Sequence, residues 1–140
     1  EVGELNSVGV VSIISKTNGG IVVWGARGLN NDSTMKYVSD VTINYTITKA
    51  LQTGTEFAVF EPNTPDLWSS LKATCNAYLE TLRVAGTLKG TKEEAYYVTI
   101  DETNNTETSI NNGELNIEIG YAPVKPAEFI IIKLAHTIEA

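Results

Sequence analysis

Glu61 is the first residue whose position suits chemistry. It ends the apolar run Phe57-Ala58-Val59-Phe60 and begins Glu61-Pro62-Asn63, just ahead of Thr64-Pro65-Asp66-Leu67-Trp68. A carboxylate between a strand and a helix is a common general acid or base in α/β enzymes. In the same place it also serves as a plain joint residue bonding nearby amides, and without partner residues the joint reading is the stronger. Asp101 and Glu102, with Asn104, Asn105 and Glu107, offer oxygen ligands of the kind that hold a hard cation. The stretch lacks the loop glycine and terminal glutamate of an EF-hand, so a solvated turn is the simpler expectation. Cys75 and His136 are the only residues of their types. They exclude an intrachain disulfide and a multi-histidine metal site. Cys75 falls on an apolar stripe and reads as a packed thiol. His136 has no visible partner. "GARG", residues 25–28, lacks the spacing and lysine of a phosphate loop. Glycosylation sequons at Asn31, Asn44 and Asn104 matter only in a secreted eukaryotic protein. No nucleophile, base and oxyanion site can be composed. The expectation is a chain that is not an enzyme, with no catalytic residue, no cofactor and no metal.

The elements that carry these residues follow from local pattern. "VGVVSIIS" (8–15) and "IVVWG" (21–25) read as antiparallel strands joined at Asn18-Gly19. Residues 26–36 read as a loop. Residues 38–53 are ambiguous. Val41, Ile43, Tyr45 and Ile47 alternate with polar residues as in a strand, whereas Val38, Val41, Tyr45 and Thr48, or Ile43, Ile47, Ala50 and Leu51, fit a helix face that the four threonines and the β-branched residues weaken. Residues 55–60 read as a strand that Pro62 ends. Thr64 as N-cap, Pro65 at the first helical position and Asp66 in the first turn predict a helix start. Leu67, Leu71, Cys75, Leu79 and Leu82, widened by Trp68 and Tyr78, predict an amphipathic helix to about Gly86, roughly 30 Å long. Thr91 and Glu94 have capping-box spacing for one short turn. Residues 96–101 read as a strand, Thr106 to Gly113 as a short capped helix, and "ELNIEIGYA" (114–122) as an alternating strand. "EFIIIKLAHTI" (128–138) reads as a last, terminal strand.

At 140 residues, 42% hydrophobic and 19% charged, the chain is long enough to bury a core. Its net charge of −7 argues against nucleic acid as a general partner. No apolar run approaches the roughly 18 residues of a membrane span, and the first residues lack the pattern of a signal peptide.

Several stretches, in order, resemble the C-terminal domain of contractile tail sheath proteins, the family of phage tail sheaths, R-type bacteriocins and related injection systems. They are "LNSVGV" (5–10), "VWGARGL" (23–29), Tyr37-Val38, "FAVFEPN" (57–63) with Leu67-Trp68, "GTLKGTKEEAYYV" (86–98), "DETNNT" (101–106) and "NNGELNIEIGYAPVKPAEFIII" (111–132). The resemblance implies a helix at 38–53, although Val41, Thr42 and Asn44 stand where the family is often rich in arginine. It implies an α+β fold: a single domain with a mixed β-sheet flanked by two main helices, and an extended C-terminal strand arm. Residues 1–126 would be the core domain and 127–140 the arm. It further implies a structural subunit of a helical homo-oligomer that surrounds an inner tail tube, meets baseplate and terminator proteins, and contracts to drive the tube through a target envelope. Assembly would take place in the bacterial cytoplasm, and the product would be a phage tail or tail-like particle, without nucleic-acid binding or membrane insertion.

Lys133, Leu134, Ala135, His136, Thr137 and Ile138 are the expected inter-subunit arm, because a terminal β-rich segment can pair on another chain's edge. Lys72, Asn76 and Arg83 are the expected tube-facing positions of the long helix. The alternatives are a small acidic α/β ligand-binding or enzymatic domain, and another self-assembling tail component.

Overall fold

The computed structural model describes residues 2–29, 33–128, 130 and 131. They divide into two compact units, one drawn from 1–39 and from residues after 124, the other from 40–124.

The first unit opens with α1 (Val2–Ser7) and the hairpin of β1 (Ser12–Lys16) and β2 (Gly20–Trp24). β1 starts later than the apolar run predicts, because Val8 and Gly9 close α1 with backbone bonds to Leu5 and Asn6. Ser12 pairs with Trp24 and Lys16 with Gly20, leaving a three-residue loop. The left-handed residue is Gly20, with φ 67°, so the Asn18-Gly19 signal marks the turn but one residue early. Ile13 and Val23 pair directly and are both largely exposed, as is Ile21. After β2 an antiparallel bridge joins Arg27 to Tyr37, and Gly28 N–H and Val38 N–H donate to Lys36 and Ala26 carbonyls at 2.9 Å. Gly9 lies so close to the Gly28 carbonyl that no side chain fits there.

The second unit is built on α3 (Pro65–Val84), whose Leu71, Cys75 and Leu79 are fully buried and whose Trp68 is nearly so. Leu67, Tyr78 and Leu82 pack partly against the same cluster. The stripe is the one that the leucine spacing predicts. Its end is a Schellman motif: Gly86 N–H donates to Arg83 and Thr87 N–H to Leu82, with Gly86 at φ 77°. α2 (Val38–Gly54) is helical despite its alternation, and of its apolar residues only Ile47 is fully buried. Asp40, at its third position, is 2% exposed and its carboxylate has no hydrogen-bond partner among the described residues; there it faces the positive end of the helix dipole.

α4 (Lys92–Ala95) carries the expected Thr91–Glu94 capping box. β3 (Tyr96–Thr99) and β4 (Glu118–Tyr121) pair antiparallel, with Tyr97 opposite Gly120. The Tyr97 ring occupies the space that a Cβ on Gly120 would need, and its hydroxyl donates to Glu118 at 3.0 Å. Between the strands α5 (Glu107–Asn111) is capped by Thr106 and closed at Gly113, as predicted.

The chain is α+β, but two expectations change. Among the described residues the strands form two separate antiparallel pairs, not one mixed sheet. Residues 55–60 are not a strand. Glu56–Ala58 is a 3-10 turn, closed by local bonds from Ala58 to Thr55 and from Val59 to Glu56. The Thr55 hydroxyl donates back to Leu51 at 2.8 Å, which continues the helical path. Phe57, Val59 and Phe60 are left exposed, so the apolar run there is surface and not a buried strand. The terminal run begins with Glu128, Ile130 and Ile131 in no regular element; Phe129 and residues 132–140 lie outside the described residues.

Candidate functional site

Glu61 is exposed and follows a turn instead of a strand. The neighbouring cleft, about 530 Å³, is lined by Leu67, Leu71, Leu115 and Ile117 among others, and Glu61 is the sole ionisable residue in its lining. No second acid or base converges there. The joint is made by Asn63. Its Oδ1 accepts from the Trp68 indole at 2.6 Å, and its Nδ2 donates to the Glu114 carbonyl at 3.1 Å. Pro65 stands at the start of α3 as expected, while Thr64 is extended but makes no side-chain cap bond. Phe60, just before, has φ 70° and is fully exposed. A left-handed phenylalanine costs about 1–2 kcal/mol.

The Asp101 turn uses its oxygens on itself. The Asp101 carboxylate accepts from the Thr103 hydroxyl and amide, which hold its pKa below the usual value. Asn104 Oδ1 accepts from Asp101 N–H at 2.9 Å, and its amide donates to the Thr99 carbonyl at 2.8 Å. Asn105, 2% exposed, pairs with both backbone groups of Asn116 at 2.6 and 3.0 Å. This is a bracket that ties the α5 connection to the start of β4. No cluster with metal-ligand geometry occurs among the described residues. Cys75 is buried, and burial pushes its thiol pKa up, away from the reactive thiolate.

Lys72, Asn76 and Arg83 share one strip of α3, but it borders the buried stripe and is not the far face. Lys72 is exposed; Asn76 and Arg83 are half-buried. Arg83 is engaged in a bidentate pair with Glu80 at 2.6 and 2.9 Å, and Tyr96 donates to the same carboxylate at 3.0 Å. The Arg83 bonds, then that of Tyr96, draw the Glu80 pKa down to about 2. Arg83 is thus a packing cation, and Lys72 is the exposed charge of the three. Lys133 to Ile138, the expected arm, lie outside the described residues.

One cluster escaped sequence reasoning. In the first unit Arg27 donates from Nε and Nη2 to Glu128 at 2.8 and 2.7 Å. Asn6 and Tyr37 reach the same carboxylate at 3.4 Å. The side chains of Arg27 and Glu128 are only 18% and 8% exposed. The Arg27 bond, above all, holds the Glu128 pKa below the usual range. Both residues sit in stretches that carry the family resemblance, but 101 positions apart, and nothing in the sequence pairs them.

Residues 26–137 match the phage tail sheath C-terminal domain. The chain belongs to that family. A search of curated proteins found no match. Among solved structures, a chain of the anti-feeding prophage baseplate, six-fold symmetrised, is 33% identical with TM-score 0.91 over 97% of this chain. A chain from an extracellular contractile injection system, the PVC sheath complex in its contracted state, is 33% identical with TM-score 0.88, again over 97%. A chain of the anti-feeding prophage helical sheath in its contracted state is 37% identical with TM-score 0.77 over 95%. This sheath domain spans 38–39% of the length of those chains. Those relatives are structural components of sheath and baseplate assemblies. Among the described residues no helix is long and apolar enough to cross a membrane.

Proposed function

We propose that this domain is the tube-proximal core of a contractile sheath subunit, and that its polymer stores and releases the energy that drives a tube through a target envelope. The observation that carries this is the likeness to a contracted PVC sheath chain over nearly the whole domain. The chain then works as a structural element without catalysis. Its partners are copies of itself, an inner tube, and the baseplate and terminator at the polymer's ends. Assembly takes place in the bacterial cytoplasm, before the particle acts outside.

In this reading residues 127–140 are an arm, and Lys133 to Ile138 pair with a neighbouring copy. The β1–β2 pair supports it from the receiving side. Among the described residues it is two strands wide, and the outer edge of such a pair is the kind of place where an added strand binds. It also exposes Ile13, Val23 and Ile21, apolar surface of the kind that marks an interaction site. In the same reading Lys72, exposed on α3, is the residue that would meet the tube. The test is electron microscopy of the assembly-competent subunit expressed with its tube. Helical sheath that shortens and widens on triggering is the expected result; a subunit that never polymerises would contradict the reading.

A further inference from the structure

Residues Asn6, Arg27 and Tyr37 belong to three separate stretches of the chain, and all three point to one carboxylate, that of Glu128. A largely buried ion pair is weak evidence for stability, because desolvating both charges offsets most of their attraction. What such a pair provides is geometry: a bidentate guanidinium–carboxylate fork fixes both distance and orientation. The fork here is built on backbone that is itself held. Arg27 and Tyr37 are joined across an antiparallel bridge, and Gly25, two residues before Arg27, packs against Asn6 and Val11 where a Cβ would be tight. Pro126, two residues before Glu128, further restricts the path of the chain. Glu128 is also the last residue before the terminal apolar run.

We infer that the Arg27–Glu128 pair is the pin that fixes where the C-terminal segment leaves its own subunit, and so sets which part of that segment reaches a neighbouring copy. Glu128 and Arg27 are positioning residues: they act through the arm and do not touch the neighbour. The inference rests on the reading of 127–140 as an exchanged arm. A two-residue error in exit register moves strand pairing by about 7 Å, and a one-residue error turns every side chain of the arm to the wrong face. Without the pin the arm samples many registers, and productive pairing becomes rare.

The test compares Glu128→Gln with deletion of residues 134–140, each in the assembly-competent subunit. Glu128→Gln keeps the size of the side chain and removes its charge. Alone, it is expected to remain folded by circular dichroism and to polymerise at least tenfold less than wild type by electron microscopy. The decisive arm is mixing. A subunit that cannot deliver its own arm still offers β1 and β2 to a neighbour's arm. Labelled Glu128→Gln subunits doped into wild type should therefore join growing polymers and shorten them in proportion to dose. Exclusion from mixed polymers would show that the pair merely holds the fold, and would overturn the inference. Normal sheath from Glu128→Gln alone, with none from the deletion, would overturn the pin and leave the arm standing. Normal sheath from the deletion would overturn both.

Discussion

Leu79→Ala tests the packing on which everything else is mounted. Leu79 is fully buried in the middle of the α3 stripe, between Cys75 and Leu82. The substitution removes three carbons from a site with no exposure, at about 0.8 kcal/mol each for transfer alone. The cavity left behind raises the cost to about 2–5 kcal/mol, because α3 cannot collapse onto it fully. In a cooperative unit the size of residues 40–124, each kcal/mol lowers Tm by about 4–8 °C, so the expected fall is roughly 10 °C or more. Lys72→Ala, exposed on the border of the same helix, should cost about 0.5 kcal/mol or less. The assay is thermal unfolding followed by far-ultraviolet circular dichroism, with both variants measured beside wild type. Equal shifts for Leu79→Ala and Lys72→Ala would show that the buried face of α3 has been assigned wrongly.

Asn63→Ala should leave the Trp68 indole and the Glu114 carbonyl without their partners and cost about 1–3 kcal/mol; unchanged tryptophan fluorescence and an unchanged melting curve would count against the joint. For Glu80, whose pKa falls to about 2 through Arg83 and Tyr96, the folded value lies below the unfolded one. Its stabilisation is therefore present above the ordinary carboxylate range and is lost as pH falls through that range towards 2. Glu80→Gln should flatten this acid-side loss, and a Tm-against-pH profile identical to wild type would refute it. Glu61→Gln, at an exposed position, should change stability by no more than about 0.5 kcal/mol and abolish no turnover; a reaction present in wild type and absent in the variant would reopen the enzymatic reading.

How much of this was legible in the sequence depends on the range of the forces involved. α3 was plain because its leucines recur at helical spacing and its ends carry Pro65 and Gly86. The caps of α4 and α5 were plain because a cap is a local hydrogen bond among residues a few positions apart. α2 was not legible on its own residues: it buries little, so its helical face is faint beside the chance alternation from Val41 to Thr48. The resemblance to tail sheaths supplied the right answer there. Residues 55–60 misled for the opposite reason, since Phe57, Val59 and Phe60 are apolar yet exposed, and local bonds close a turn at Glu56–Ala58. At the candidate site, the pattern at FEPN drew attention to Glu61, whereas Asn63 makes the contacts, because the geometry of the turn decides which side chain faces inward. The Arg27–Glu128 fork depends on chain reversal over 101 positions, which no local pattern encodes.

The proposed role of this domain is to form the wall of a contractile sheath. Cryo-electron microscopy of the particle assembled from the complete subunit and its tube tests it most directly. Density for residues 40–124 is expected in every repeat of a helical wall, on the side facing the tube, in both a longer narrow state and a shorter wide one. Density for this domain confined to the end of the particle, with the repeating wall built from another chain, would contradict it.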